Sequence, residues 1–130
     1  MNNFLDMERD NISCGLDFGT SNSVISITNL STGEEIYTYS VQSILYFPES
    51  DTDTCYVGKN AEEKYVEDEM KGRLLKSVKT LLKQDKFLFT WINGKKVTPD
   101  MMVTYIIREL KLKAEEYLGF CIDNVVLGRP

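Results

Sequence analysis

The strongest constraint on the fold is one long helix late in the 130-residue chain. Thr98 can accept the first N–H groups of a helix, and Pro99 fits the first turn because no donor is needed there. Asp100 adds negative charge at the positive end of the helix dipole. Val103, Ile106, Ile107, Leu110, Ala114, Tyr117 and Leu118 then recur at helical spacing and form a broad apolar face. Gly119 stops the helix in the left-handed position. Cys121 to Leu127 reads next as a hydrophobic strand, interrupted by Asp123 and Asn124. A helix that feeds a strand is half of a βαβ unit and needs a sheet to lie on.

The sheet is found at the other end of the chain. Ile12, Cys14 and Leu16 alternate with Ser13, Gly15 and Asp17, the two-residue period of a strand. Phe18 to Asn22 turns the chain, and Val24, Ile25 and Ile27 mark a second strand from Ser23 to Thr28. Asn29 to Gly33 is a further turn. Glu34 to Tyr39 is a third strand, with Ile36 backing Tyr37 and Tyr39. Two short extended pieces follow, Ser43–Phe47 and Cys55–Val57, separated by Pro48 and Asp51–Asp53.

The middle of the chain changes period. Asn60 is the expected cap of a helix running to Met70, with Glu62, Glu63, Lys64, Glu67 and Glu69 in water and Glu67 spaced to pair with Lys71. Leu74, Val78, Leu81 and Leu82 predict a second short helix. Phe87, Phe89 and Trp91 alternate up to Asn93-Gly94, a strong hairpin signal, and are expected to pack across the strands. Lys95 to Val97 forms the returning arm.

These segments predict an α/β chain with a mixed sheet and a small helical and hairpin outer subdomain. Residues 1–11 read as a flexible arm, 12–48 as the first strands, 49–97 as the outer subdomain, and 98–130 as the helix with its following strand. Because the chain stops where that strand finishes, the favoured reading is the N-terminal part of a larger α/β protein. A complete small α+β domain is the alternative.

Composition narrows the chemistry. Fifteen basic and 20 acidic residues leave a charge of -5, with no basic stripe, which suits nucleic-acid binding poorly. The hydrophobic fraction of 42% is that of a soluble globular protein, and no apolar run approaches the ~18 residues of a membrane helix. The absence of His removes Ser-His-Asp and Cys-His catalysis and His-containing zinc sites. Cys14, Cys55 and Cys121 are odd in number and form no C-x-x-C, so a reducing, cytoplasmic compartment is expected. Cys14 reads as a buried strand residue rather than a nucleophile. The acidic start lacks the apolar core of a signal peptide.

The segment with chemical content is Leu16-Asp17-Phe18-Gly19-Thr20-Ser21-Asn22-Ser23. Gly19 allows a tight turn whose backbone N–H groups can gather around an anionic oxygen. Thr20 and Ser21 add hydroxyls and Asn22 an amide. Asp17 is an oxygen ligand for a hard cation or its water shell. A plain hairpin turn of small polar residues is the competing reading. Neither G-x-x-x-x-G-K-[ST] nor G-x-G-x-x-G occurs.

Cys14 to Ser23 resembles the first phosphate loop of the Hsp70 chaperone ATPases, within the actin-like superfamily. Other stretches agree in order: Gln42–Phe47, Val57-Gly58 before a helix, Leu75–Leu82, Asn93-Gly94-Lys95 before Thr98-Pro99, and Leu112–Gly119 before a strand. The closing Val125–Pro130 looks most like the divergent YegD-like Hsp70 relatives. The resemblance implies a ribonuclease H-like lobe beside an ATP cleft. It implies that Asp17 organises the Mg²⁺–water cluster, that Thr20 and Ser21 meet the β- and γ-phosphates, that Gly19 is the loop glycine, and that the Asn22 amide reaches phosphate. Asp17 and Thr20 would then be the catalytic residues of a parent that converts ATP and water to ADP and phosphate. Client proteins and co-chaperones would bind through regions outside this chain.

Matching from Val57-Gly58 places Glu62 where the family usually has a lysine. Lys59 lies three residues earlier and Lys64 two later, and a two-residue step turns a side chain about 200° around a helix, so neither is a simple substitute without a register change. Glu62 therefore favours, as an alternative, a non-hydrolysing nucleotide-binding or scaffold module; a sugar-kinase-like phosphotransferase is another. With one wall of the cleft present, the chain alone is expected to bind ATP weakly or not at all.

Overall fold

The computed structural model describes residues 9–49, 53–82 and 89–128. The alternating segment at the start forms β1 (Ile12–Phe18), which turns back as β2 (Asn22–Asn29). β3 (Glu35–Gln42) pairs antiparallel with β2, with a register irregularity between Ile27 and Thr28. Period two decides which side chains go inward: Cys14, Leu16, Ile25 and Ile27 are buried on one face. Tyr37 and Tyr39 of β3 share that side half-buried, while Ile36 points outward.

The helix read from Thr98 to Gly119 is present as α3 (Pro99–Leu118), after α1 (Lys59–Glu67) and α2 (Val78–Leu82). The Thr98 side chain accepts the Met101 N–H at 3.4 Å, and Gly119 takes φ 80°. α3 lies on β2 and β3. Met102, Ile106, Leu110 and Ala114 are fully buried at intervals of four residues along one helix face. Val103 and Ile107 flank that stripe half-buried, and Tyr117 is displaced to the rim, where it stacks on Tyr37 with centroids 4.5 Å apart.

After α3 the chain returns beside β1. Only Val126–Leu127 forms a strand, β9, parallel to β1 at Gly15 and Leu16. The expected strand from Cys121 is therefore cut to two residues. Cys121 to Val125 is irregular, and β9 lies exposed at the sheet edge. The resulting order is β3-β2-β1-β9, three antiparallel strands and a parallel fourth reached through a helix.

A second sheet has the order β5-β4-β6, with β4 (Leu45–Phe47) between β5 (Tyr56–Val57) and β6 (Arg73–Leu75). β4 thus pairs with outer elements on both sides, while Leu45 and Phe47 join the core under the first sheet. Leu74 sits in β6 opposite Tyr46, not on the helix with Val78. α1 is entered through Gly58, at φ 71° with no side-chain cap, so Asn60 is not the cap. A Cβ at Gly58 would come within 2.3 Å of the Val41 side chain. Lys71 pairs with Glu69 at 3.7 Å rather than with Glu67.

The hairpin of β7 (Thr90–Ile92) and β8 (Lys95–Val97) forms as read, with its inward face reversed. Ile92 and Val97 are buried, whereas Trp91 is 61% exposed and meets Phe89 edge-on. Phe87 lies outside the described residues. At the other end, Asn11 is not loose: its carbonyl accepts the Leu30 N–H at 2.8 Å, and its side chain bonds Asn29 and Ser31. Residues 1–8 of the expected arm lie outside the described residues.

Two outcomes follow. Ile106→Ala empties a fully buried position under the sheet and should cost about 2–5 kcal/mol in urea unfolding. Glu115 gives a pH signature. The Ile122 N–H donates to its carboxylate at 2.7 Å and Lys111 lies 3.1 Å away, holding its pKa below the ordinary 4.5 despite burial. A lowered native pKa gives stability that is present above pH ~4.5 and lost as pH falls through the native value. The urea-midpoint gap between the wild type and Glu115→Gln should therefore narrow from pH 6 to pH 3.

Candidate functional site

The parallel contact between β1 and β9 brings the ends of both strands to the same edge of the sheet. Gly128 donates to the Leu16 carbonyl at 2.7 Å and lies beside Asp17. Open sheets bind ligands beyond the carboxyl ends of such strands. The turn from Phe18 to Asn22 occupies that position.

The turn is held from inside by its carbonyl oxygens. Lys79 Nζ donates to Phe18 O at 2.8 Å, Ser43 Oγ to Gly19 O at 3.0 Å, and the Ser43 N–H to Ser21 O at 2.9 Å. No peptide bond described is cis. In a trans peptide the carbonyl and the following N–H point in opposite directions. Drawing the Phe18 and Gly19 oxygens inward therefore turns the N–H groups of Gly19 and Thr20 outward. Among the described residues neither of these N–H groups has a hydrogen-bond acceptor. Neighbouring N–H groups left without an acceptor are the donors from which small turns build an anion-binding concavity.

Gly19 is required by close approach: a Cβ there would lie 2.2 Å from the Asn22 carbonyl oxygen. Thr20, Ser21 and Asn22 are exposed on the outer side, and Asp17 is exposed at the end of β1. The structure thus brings Asp17, Gly19, Thr20, Ser21 and Asn22 together on one rim. Asp17 is the residue of this rim able to hold a divalent cation through its water shell.

Lys79 is the site residue that reading along the sequence missed. Counting from Val57-Gly58 points to Glu62. The fold instead delivers Lys79, from α2, to the loop. Glu62 lines a wide groove of about 670 Å³ that adjoins the loop at Asn22 and includes Gln42, Lys59 and Lys113. Lys79 carried a signal in that Val78, its neighbour, is an apolar anchor. Burying Val78 sets the direction of the next side chain, but toward what only the packing of α2 against β1 and Ser43 shows. Cys14 is buried in β1 and its thiol is pushed up by burial, which keeps it protonated and unreactive.

No family model matches the chain. Among curated proteins, it is 31% identical over 121 residues to the chaperone protein DnaK of Thermosipho africanus (strain TCF52B). The match covers 89% of this chain and 19% of DnaK, so the chain spans about a fifth of that relative's length. The sequence similarity is thus to an Hsp70-type chaperone, along nearly the whole of this chain. Among the described residues, no helix is long and apolar enough to cross a membrane.

Gly19→Ala should strain the turn through contact with the Asn22 carbonyl. The expected loss is about 1–3 kcal/mol in urea unfolding, with amide resonance changes centred on residues 18–22.

Proposed function

We propose that this chain is the N-terminal part of an Hsp70-type, actin-like ATPase domain and supplies its first phosphate loop. The observation that carries the reading is the anchoring of the Phe18 and Gly19 carbonyls by Lys79 and Ser43, while the Gly19 and Thr20 N–H groups, near the ends of β1 and β9, have no acceptor among the described residues. The similarity to DnaK agrees with it. The sheet order β3-β2-β1-β9, with its helical crossover, supports a ribonuclease H-like core.

In this reading the nucleotide phosphates rest on the Gly19 and Thr20 amides and the Thr20 and Ser21 hydroxyls. Lys79 brings positive charge to an otherwise acidic chain. Asp17 holds the water shell of the Mg²⁺ that accompanies ATP and neutralises its phosphates. Lys79 does not restore the lysine replaced by Glu62, because its ammonium bonds the Phe18 carbonyl and holds the loop from within. ATP hydrolysis, and the passing of nucleotide state to clients and co-chaperones, belong to the whole parent protein, and a cytoplasmic setting accords with three cysteines unpaired by disulfides.

Mg-ATP titrated into the chain and followed by amide resonances tests the reading. Shifts should centre on residues 17–22 with a dissociation constant weaker than micromolar, since a single wall offers few donors. Lys79→Met should weaken the response roughly tenfold, because it releases the Phe18 carbonyl that orients the loop. Unmoved Gly19 and Thr20 resonances would refute the phosphate loop, and micromolar affinity would refute the single-wall argument.

A further inference from the structure

We propose that Ser43 is a positioning residue that sets the anion loop and joins it to the helix carrying Lys79. The proposal rests on the reading of the Phe18–Asn22 turn as a phosphate cradle.

Ser43 lies in the link between β3 and β4 and is fully buried, as is Ser23. A buried serine outside a regular element needs partners for its hydroxyl, its N–H and its carbonyl. Ser43 places all three. Its N–H donates to Ser21 O at 2.9 Å, its Oγ lies 3.0 Å from Gly19 O, and its carbonyl accepts the Val78 N–H at 3.4 Å. The direction of the remaining contact follows from proton counting. A serine hydroxyl has one proton and two lone pairs. The Gly19 carbonyl can only accept, so the Ser43 proton goes to it. The Ser23 hydroxyl, 3.0 Å from Ser43 Oγ, must therefore donate to Ser43. Ser23 to Ser43 to Gly19 is a directed chain in which each bond polarises the next.

The chain closes into a ring. Val78 is the first residue of α2, and its neighbour Lys79 donates back to the Phe18 carbonyl. Consecutive loop carbonyls, Phe18 and Gly19, are thus held by two donors whose relative position passes through Ser43. A shift of α2 moves one donor against the other and rotates the peptide planes that aim the Gly19 and Thr20 N–H groups. Ser43 makes the geometry of the anion site depend on the position of the outer elements, and the reverse. Ser43 itself faces away from the anion side and acts through the loop.

The experiment is amide hydrogen exchange on the full 130-residue chain and its Ser43→Ala variant, with pyrophosphate as the anion probe. Exchange at position 43, whose N–H is bonded to Ser21 O, and at Leu81, bonded to Ser77 O in α2, should both quicken roughly tenfold in Ser43→Ala, the usual effect of orphaning a buried partner. Ile106 in α3 should keep its wild-type rate, which separates a local effect from general destabilisation. Ser23→Ala breaks only the first link and should leave Leu81 unchanged. Half-shift of the Gly19 and Thr20 resonances should need about ten times more pyrophosphate in Ser43→Ala. Ser43→Cys, close in volume and a weak donor, carries the same test if the alanine variant does not fold.

Acceleration at position 43 alone, or equally at Ile106, would overturn the coupling. Loop resonances that answer pyrophosphate equally in the wild type and Ser43→Ala would remove the positioning role while leaving the cradle. Wild-type Gly19 and Thr20 resonances that ignore pyrophosphate would remove the cradle itself, and the anion half of the proposal with it.

Discussion

The inward pull on two adjacent carbonyls, Phe18 and Gly19, is the interaction on which the site depends. A tight turn between strands is otherwise free to rotate its peptide planes, since water can satisfy either side. Lys79 and Ser43 end that freedom by offering donors on the inner side only. The N–H groups of the same turn are then committed to the outside. No side chain on the anion side is needed to hold them there.

That arrangement has a structural cost, met by the packing beneath it. Ser23 and Ser43 are polar groups at positions with no exposure, which is unfavourable unless every hydrogen bond is made. Among the described residues, no buried side-chain nitrogen or oxygen lacks a partner. The sheet keeps Ser23 in register opposite Phe18, and burial of Val78 keeps α2 seated. The helix α3 contributes from farther away by covering β2 and β3 with Met102, Ile106, Leu110 and Ala114. The loop is thus precise because the core below it is apolar and closely packed.

Much of this was legible along the chain. The three strands before Gln42 followed from period-two alternation, and α3 followed from Thr98, Pro99 and Gly119 together with its apolar stripe. Asp17, Gly19, Thr20, Ser21 and Asn22 are neighbours along one turn, and Asp17, Thr20, Ser21 and Asn22 are exposed there. The misplacements share a cause. Leu74 suits a helix or a strand, and pairing with Tyr46 decided for the strand. Trp91 suits an inner or outer face, and the burial of Ile92 and Val97 turned it outward. Val125, Val126 and Leu127 look buried by composition, yet they lie exposed at the edge of the sheet. Each case turned on a partner distant in sequence.

The same division runs through the site. Local sequence determined that a strand would end at about Asp17, one residue short of its end at Phe18, that a glycine would let the chain reverse, and that small hydroxyl and amide residues would line the bend. These are properties of backbone sterics and of side chains within a few residues of one another. Tertiary structure alone decided which cation reaches the bend. Position 62, where a lysine would be expected but Glu62 stands, and Lys79 are 43 and 60 residues from Gly19, and no spacing rule ranks the two positions. Lys79 arrives because Val78 is drawn into the core beside Ser43, and hydrophobic burial is a sum over the whole fold.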